Sequence, residues 1–172
     1  MGLVSFYRDG DVDDAGRTFE EVLAFDNDQL EGIHDYIQWL FPLPEQSSCE
    51  PDAPTLTAAD LETFRSDPAM QENMRRAFNV MLSFYGFKDT GEKVGLAENF
   101  NDRSDWLSAN DRVHNFMRIS RILRSLRIAG LEEEAQRFFG RLDRIYRHPV
   151  ARELIGEKSY GFWKQRVSEP AP

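Results

Sequence analysis

Apolar positions recur along most of the chain at intervals of three and four, the spacing that places side chains on one face of an α-helix. Leu30, Ile33, Ile37, Leu40 and Phe41 form one such run, and Pro42, which lacks a backbone donor, ends it. The run predicts one helix, and a shorter one is expected over residues 19–25. Thr57 with Asp60 three positions on predicts a capped helix start. Pro68 opens another, in which Met70, Met74, Ala77, Phe78, Met81, Leu82 and Tyr85 share a face until Gly86.

Residues 88–108 break the period. They are rich in Gly, Asn, Asp and Ser and predict a long ordered loop with one turn near residues 101–106. A loop of this length inside a compact domain is commonly functional. Asn110 or Asp111 then starts a helix reaching Ala129, with Phe116, Ile119, Ile122, Leu123 and Leu126 inward and Arg118, Arg121, Arg124 and Arg127 fanned across the other face. Residues 131–147 repeat the design, with Ala135, Phe138, Phe139, Leu142, Ile145 and Tyr146 inward and Glu133 set to pair with Arg137. His148-Pro149 stops that helix, and a last short one over residues 159–166 is expected to dock Tyr160, Phe162 and Trp163. No alternating strand pattern competes. The predicted fold class is all-α: one compact domain of six or seven helices over residues 1–166, with a flexible tail at 167–172.

Composition narrows the classes of function. With 172 residues and 41% hydrophobic content, the chain suits a single core. Its net charge of −9 argues against general polyanion or nucleic-acid binding. That total hides an asymmetry, because residues 1–72 carry 17 acids against 3 bases and residues 73–172 carry 13 acids against 18 bases. One cysteine, Cys49, forms no internal disulfide and points to a reducing compartment. No run is apolar enough for a transmembrane segment, and residues 1–6 lack a signal-peptide pattern, so a cytoplasmic location is expected.

Candidate chemistry is sparse. Asp9, Asp11, Asp13 and Glu20 fall at calcium-loop spacing, but Asp14 stands where a glycine is needed, so a solvated acidic turn is expected instead. Three histidines show no zinc spacing. His34 reads as a hydrogen-bonded core histidine, and His114 sits beside Asn115 at the start of the arginine helix, where an anion is favoured, although capping and buried hydrogen bonding are the first expectation for it. The four arginines have three candidate partners: acids of the same chain, an acidic ligand or partner, and nucleic acid. No phosphate loop, nucleophile elbow or paired-carboxylate scaffold is present in the sequence, so neither a catalytic residue nor a cofactor is expected.

A family resemblance goes further. Tyr36-Ile37-Gln38-Trp39-Leu40-Phe41-Pro42-Leu43, preceded by His34, resembles the most distinctive motif of the opioid growth factor receptor conserved domain. Phe6-Tyr7-Arg8, Pro54-Thr55-Leu56-Thr57, Met81-Leu82-Ser83-Phe84-Tyr85-Gly86 and Ala97-Glu98-Asn99-Phe100 follow the family's order, as does the run His114 to Leu126. The resemblance covers residues 5–148 and is to a minimal, bacterial-type member. It implies a receptor-like binding module for a peptide, methionine-enkephalin in the animal member, or for a small acidic ligand. The word receptor in the family name also implies membrane association.

Beside that implication stands the alternative of a structural or regulatory domain meeting a protein or nucleic-acid partner through the arginine-rich helix 111–129. The motif positions His34, Tyr36, Gln38, Trp39, Asn99, His114, Asn115, Arg118 and Arg121 include polar groups that a core does not require. They are the candidate ligand-binding residues, expected in a groove between the helix of residues 30–41 and the arginine helix, roofed by residues 88–108. The alternative placement pairs them with each other and locks the bundle.

Overall fold

A computed structural model describes residues 2–47, 50–107 and 113–169. Among these residues the chain forms ten α-helices, one 3₁₀ turn and one two-stranded sheet, and it divides into two compact units, Met1–Val80 and Met81–Pro172. The mostly helical class expected from the sequence is observed. The higher helix count comes from an added helix at each of two places and the splitting of one predicted helix.

The first unit contains α1 (Leu3–Arg8), α2 (Phe19–Leu23), α3 (Asn27–Gly32), α4 (Ile37–Leu40), α5 (Ala58–Ser66) and most of α6 (Pro68–Phe84). Three of these short helices start on reciprocal caps, Thr18 with Glu21, Asp26 with Gln29 and Thr57 with Asp60, each pairing two otherwise orphaned amide groups. The core gathers Phe6, Tyr7, Phe19, Trp39 and Phe64, with ring centroids 4.7–5.9 Å apart. Tyr7 donates its hydroxyl to the Leu40 carbonyl, and Asn73 donates to the Tyr7 carbonyl at 2.7 Å, so α1, α4 and α6 are tied by polar contacts as well.

The single helix predicted over residues 30–41 is two. Ile33 turns extended (φ −93°, ψ 135°), and Tyr36 folds back to donate to the Leu30 carbonyl at 2.9 Å. This tertiary contact, next to Gly32 and β-branched Ile33, outweighs the weak helical preference of the segment.

In the second unit Gly86 (φ +78°) releases the chain into β1 (Phe87–Asp89), which pairs antiparallel with β2 (Val94–Leu96) in the register Phe87↔Leu96. A β-carbon at Gly86 would lie 2.9 Å from the Phe100 Cα, so the position requires glycine for space and conformation alike. The region predicted as loop therefore holds a hairpin, α7 (Phe100–Arg103) and a 3₁₀ turn (Ser104–Leu107). Only the expected turn near 101–106 is retained.

α8 (Val113–Ile128), α9 (Glu132–Tyr146) and α10 (Pro149–Ser168) complete the unit and pack on one another. The expected α8 start at Asn110 or Asp111 lies outside the described residues, as does Cys49. α10 is much longer than predicted: it starts at Pro149 and is broken once, at Gly156 (φ 74°, ψ 156°). Trp163 is fully buried and donates its indole N–H to the Phe116 carbonyl at 2.9 Å, while Phe162, expected to dock beside it, is exposed. Val167 is buried as well. No helix is long and apolar enough to cross a membrane among the described residues.

Candidate functional site

The acidic segment before α2 is organised by one carboxylate. Asp13 is buried and accepts from the amides of Ala15 (3.0 Å) and Arg17 (2.9 Å) and from Arg17 Nε (2.7 Å), closing the turn that Gly16 makes with positive φ. The calcium-like spacing is thus neither a metal loop nor a merely solvated turn: its third acid is the internal anchor of an arginine. Arg17 also reaches Asp35 at 2.8 Å and lies over the Phe25 ring at 5.6 Å. Burial pulls the Arg17 guanidinium down, but its hydrogen bonds to Asp13 and Asp35 outweigh that, and its affinity for the proton is raised.

Asp35 stands immediately before the aromatic motif of α4. Trp39 packs against Phe6, with centroids 5.1 Å apart, and is otherwise buried except where it meets a cleft of about 280 Å³. The cleft is lined by Asp14, Ala15, Arg17, Asp35, Trp39, Glu50, Asp52 and Ala53. Four carboxylates face one guanidinium there, and that guanidinium is already held by Asp13 and Asp35. The remaining lining is negative and carries an aromatic wall, the combination that accepts an ammonium or guanidinium group.

The sequence-derived candidates fall in both units, and each group is described within its own. In the first, Trp39 lines the cleft; Tyr36 and Gln38 are buried beside it in the motif, and the Tyr36 hydroxyl is taken by the Leu30 carbonyl. His34, expected in the core, is exposed, with Nδ1 3.0 Å from the Gly32 carbonyl oxygen. In the second unit Asn99 is exposed just ahead of α7, while His114, Asn115, Arg118 and Arg121 lie on α8. Asn115 and Arg118 meet, Nη1 donating to Oδ1 at 3.3 Å, and both are buried. Arg118 therefore does not belong to an outward fan.

Arg124 and Arg127 are engaged by α10 and by α9. Arg124 pairs with Glu169 at 2.6 Å; Arg127 pairs with Glu132 at 2.6 Å and donates to the carbonyls of Arg166 (3.0 Å) and Glu169. These partners, Glu132, Arg166 and Glu169, belong to the same unit as the two arginines.

Sequence reasoning missed Asp14, Arg17, Asp35, Glu50 and Asp52 as cleft residues. The signal is the scarcity of bases around Arg17 among the many acids of the first 72 residues, which marks it as a shared counter-ion, whereas the expectation for its acidic neighbours is a solvated turn.

Residues 6–142 match the opioid growth factor receptor (OGFr) conserved region. The chain is similar to the opioid growth factor receptor of Homo sapiens, 45% identical over 108 residues, which cover 61% of this chain and 16% of that protein. It is 43% identical over 123 residues to the opioid growth factor receptor of Rattus norvegicus (68% and 21% covered), and 39% identical over 122 residues to the opioid growth factor receptor-like protein 1 of Mus musculus (68% and 26%). The match spans about a quarter or less of the length of these relatives. No solved structure matches the chain.

Proposed function

The chain belongs to the opioid growth factor receptor family, and from that premise we propose that it is a non-catalytic binding module for a peptide. The observation that carries the reading is the cleft beside Trp39. Its surplus of carboxylates selects a positively charged end, so a peptide enters with an ammonium group toward Asp14, Asp35 and Asp52 and an apolar side chain toward Trp39. The relatives are named receptors for an opioid growth factor, and carried to this chain the name supports ligand binding. Unlike the acidic ligand expected from the arginine helix, the ligand of this cleft is cationic at the point of contact. A protein- or nucleic-acid-docking role for Arg124 and Arg127 loses support because both are engaged with Glu132, Glu169 and helix-end carbonyls. A single cysteine in the chain supports a cytoplasmic, reducing setting.

Calorimetric titration with methionine-enkephalin and with its N-acetylated form tests the reading. Binding of the free peptide is expected, with a loss of tenfold or more on acetylation and a similar loss in the double variant Asp14→Asn, Asp52→Asn. Equal binding of both peptides would remove the charge-selective cleft, and no binding of either at millimolar concentration would remove this family of ligands.

A further inference from the structure

We propose that the second unit holds an oxyanion site, for a carboxylate or a phosphate group, formed by the guanidinium groups of Arg141 and Arg144 on α9. The sequence places Arg137, Arg141, Arg144 and His148 at i, i+4, i+7 and i+11, a single stripe along the helix and its end. The first member of the stripe shows what an internally satisfied arginine looks like here. Arg137 grips Asp89 of β1 with two parallel bonds, 3.1 Å and 2.8 Å, and its proton affinity is raised by that carboxylate.

One turn further on the arrangement changes. Arg141 donates Nε to the carbonyl of Val94 in β2 at 2.8 Å, which fixes the plane of the fork and leaves both terminal nitrogens to point elsewhere. Among the described residues no carboxylate lies within ion-pair distance of Arg141 or of Arg144. The charged neighbour of Arg141 is Arg144, and burial together with that like charge lowers its proton affinity. A half-buried cation beside another cation has lost part of its hydration without gaining a counter-charge, and the arrangement is stabilised when an anion is shared between the two.

Why an oxyanion follows from the geometry of the donors. A guanidinium already anchored through Nε presents its remaining N–H groups in a fixed plane, matching the paired oxygens of a carboxylate or phosphate, and Arg144 supplies a second fork with freedom to adjust. Chloride, without directional acceptors, gains only the Coulomb part. The site is independent of the cleft in the first unit: it takes the opposite charge, and its success or failure leaves the peptide reading untouched.

Side-chain Nε–H resonances of Arg141 and Arg144, followed by NMR in the full chain at constant ionic strength, test the site. Inorganic phosphate and succinate are titrated in parallel, with sodium chloride as the reference. Saturable shifts at both arginines are expected for at least one oxyanion, and whichever binds more tightly identifies the group. Arg144→Gln, an exposed substitution that leaves the fold intact, should weaken that binding at least fivefold, and Arg141→Lys, which keeps charge but loses the fork, should do the same. Arg152→Gln, an exposed arginine lying over Tyr146, should leave it unchanged. Shifts that are linear, equal for chloride and both oxyanions, or insensitive to Arg144→Gln overturn the proposal and make these arginines ordinary solvated cations.

Discussion

The two units handle charge differently. Residues 1–80 carry 17 acids and 5 bases; residues 81–172 carry 13 acids and 16 bases. In the first, an arginine is the shared partner: Arg17 joins Asp13 and Asp35, and Arg8 joins Asp9 and Asp67. In the second, both signs are shared: Glu169 serves Arg124 and Arg166, Asp143 accepts from Tyr160 and pairs with Arg147, and Arg137 meets Asp89, Glu133 and Glu134. In the first unit the scarcer sign supplies the internal bridges; in the second both signs do. Part of the commoner sign is left over in each unit: Asp14, Glu50 and Asp52 line the acidic cleft, and Arg141 and Arg144 follow the ion-paired Arg137 along α9. Candidate sites in a charged domain are therefore best sought among charges in local excess that no internal ion pair engages.

Removing a pillar from each unit should show how differently the two are built. The largest effect is expected for Trp163→Ala, which empties a fully buried site and removes the indole's hydrogen bond to the Phe116 carbonyl; a loss of about 3–5 kcal/mol is expected. Urea unfolding followed by circular dichroism measures it. A loss below about 1 kcal/mol would make α10, which lies beyond the family-matched residues 6–142, an appendage rather than part of the unit. In the first unit Asp13→Ala should cost about 2–4 kcal/mol, because it strips a buried acceptor from two amides and leaves Arg17 with Asp35 alone. If Asp13→Asn is as well tolerated as a surface change, the scarce-sign rule fails where it is most clearly drawn.

Much of this was legible in the sequence, and what was not has local causes. α6, α8 and α9 are long enough for a 3.6-residue period to stand out, and the Pro68 start of α6 and the glycine stops after α6 and α8 agree with the structure. The strands at residues 87–89 and 94–96 have three residues each, too few for alternation to register. The split between α3 and α4 depends on Tyr36 returning to Leu30 and Asp35 reaching Arg17, contacts that no local period encodes. Of the nine candidate site residues only Trp39 lines the cleft. The rest of that lining comes from charged residues and two alanines in three separate segments, which share no repeat and meet only through the fold. In α8 the helical period placed Arg118 outside, yet it is buried with Asn115, since a guanidinium with a hydrogen-bond partner can occupy an inner position that hydropathy alone denies it.

The smallest effect concerns two phenols, one in each unit, and it separates burial from partner charge. Tyr7 is buried and bonded to a neutral carbonyl, and burial holds its ionisation well above the ordinary range. Tyr160 is only half-buried, stacks on Tyr146 at 3.8 Å, and donates to Asp143 at 2.7 Å; burial first, then that carboxylate, push its pKa up to about 12. The unfolded reference is about 10, so the fold favours the neutral phenol. Its contribution is fully present below about pH 10 and disappears as the pH rises through about 12, because the unfolded chain then releases a proton that the folded one retains. Tyr160→Phe should therefore be less stable than the parent by about 1 kcal/mol at pH 8, from the lost hydrogen bond, with the gap closing between pH 10 and 12. Tyr7 is common to both proteins and cancels in the difference. A gap that stays constant over that range would mean that Asp143 does not hold the Tyr160 proton, and the shared-carboxylate arrangement at the junction of α9 and α10 would lose its clearest member.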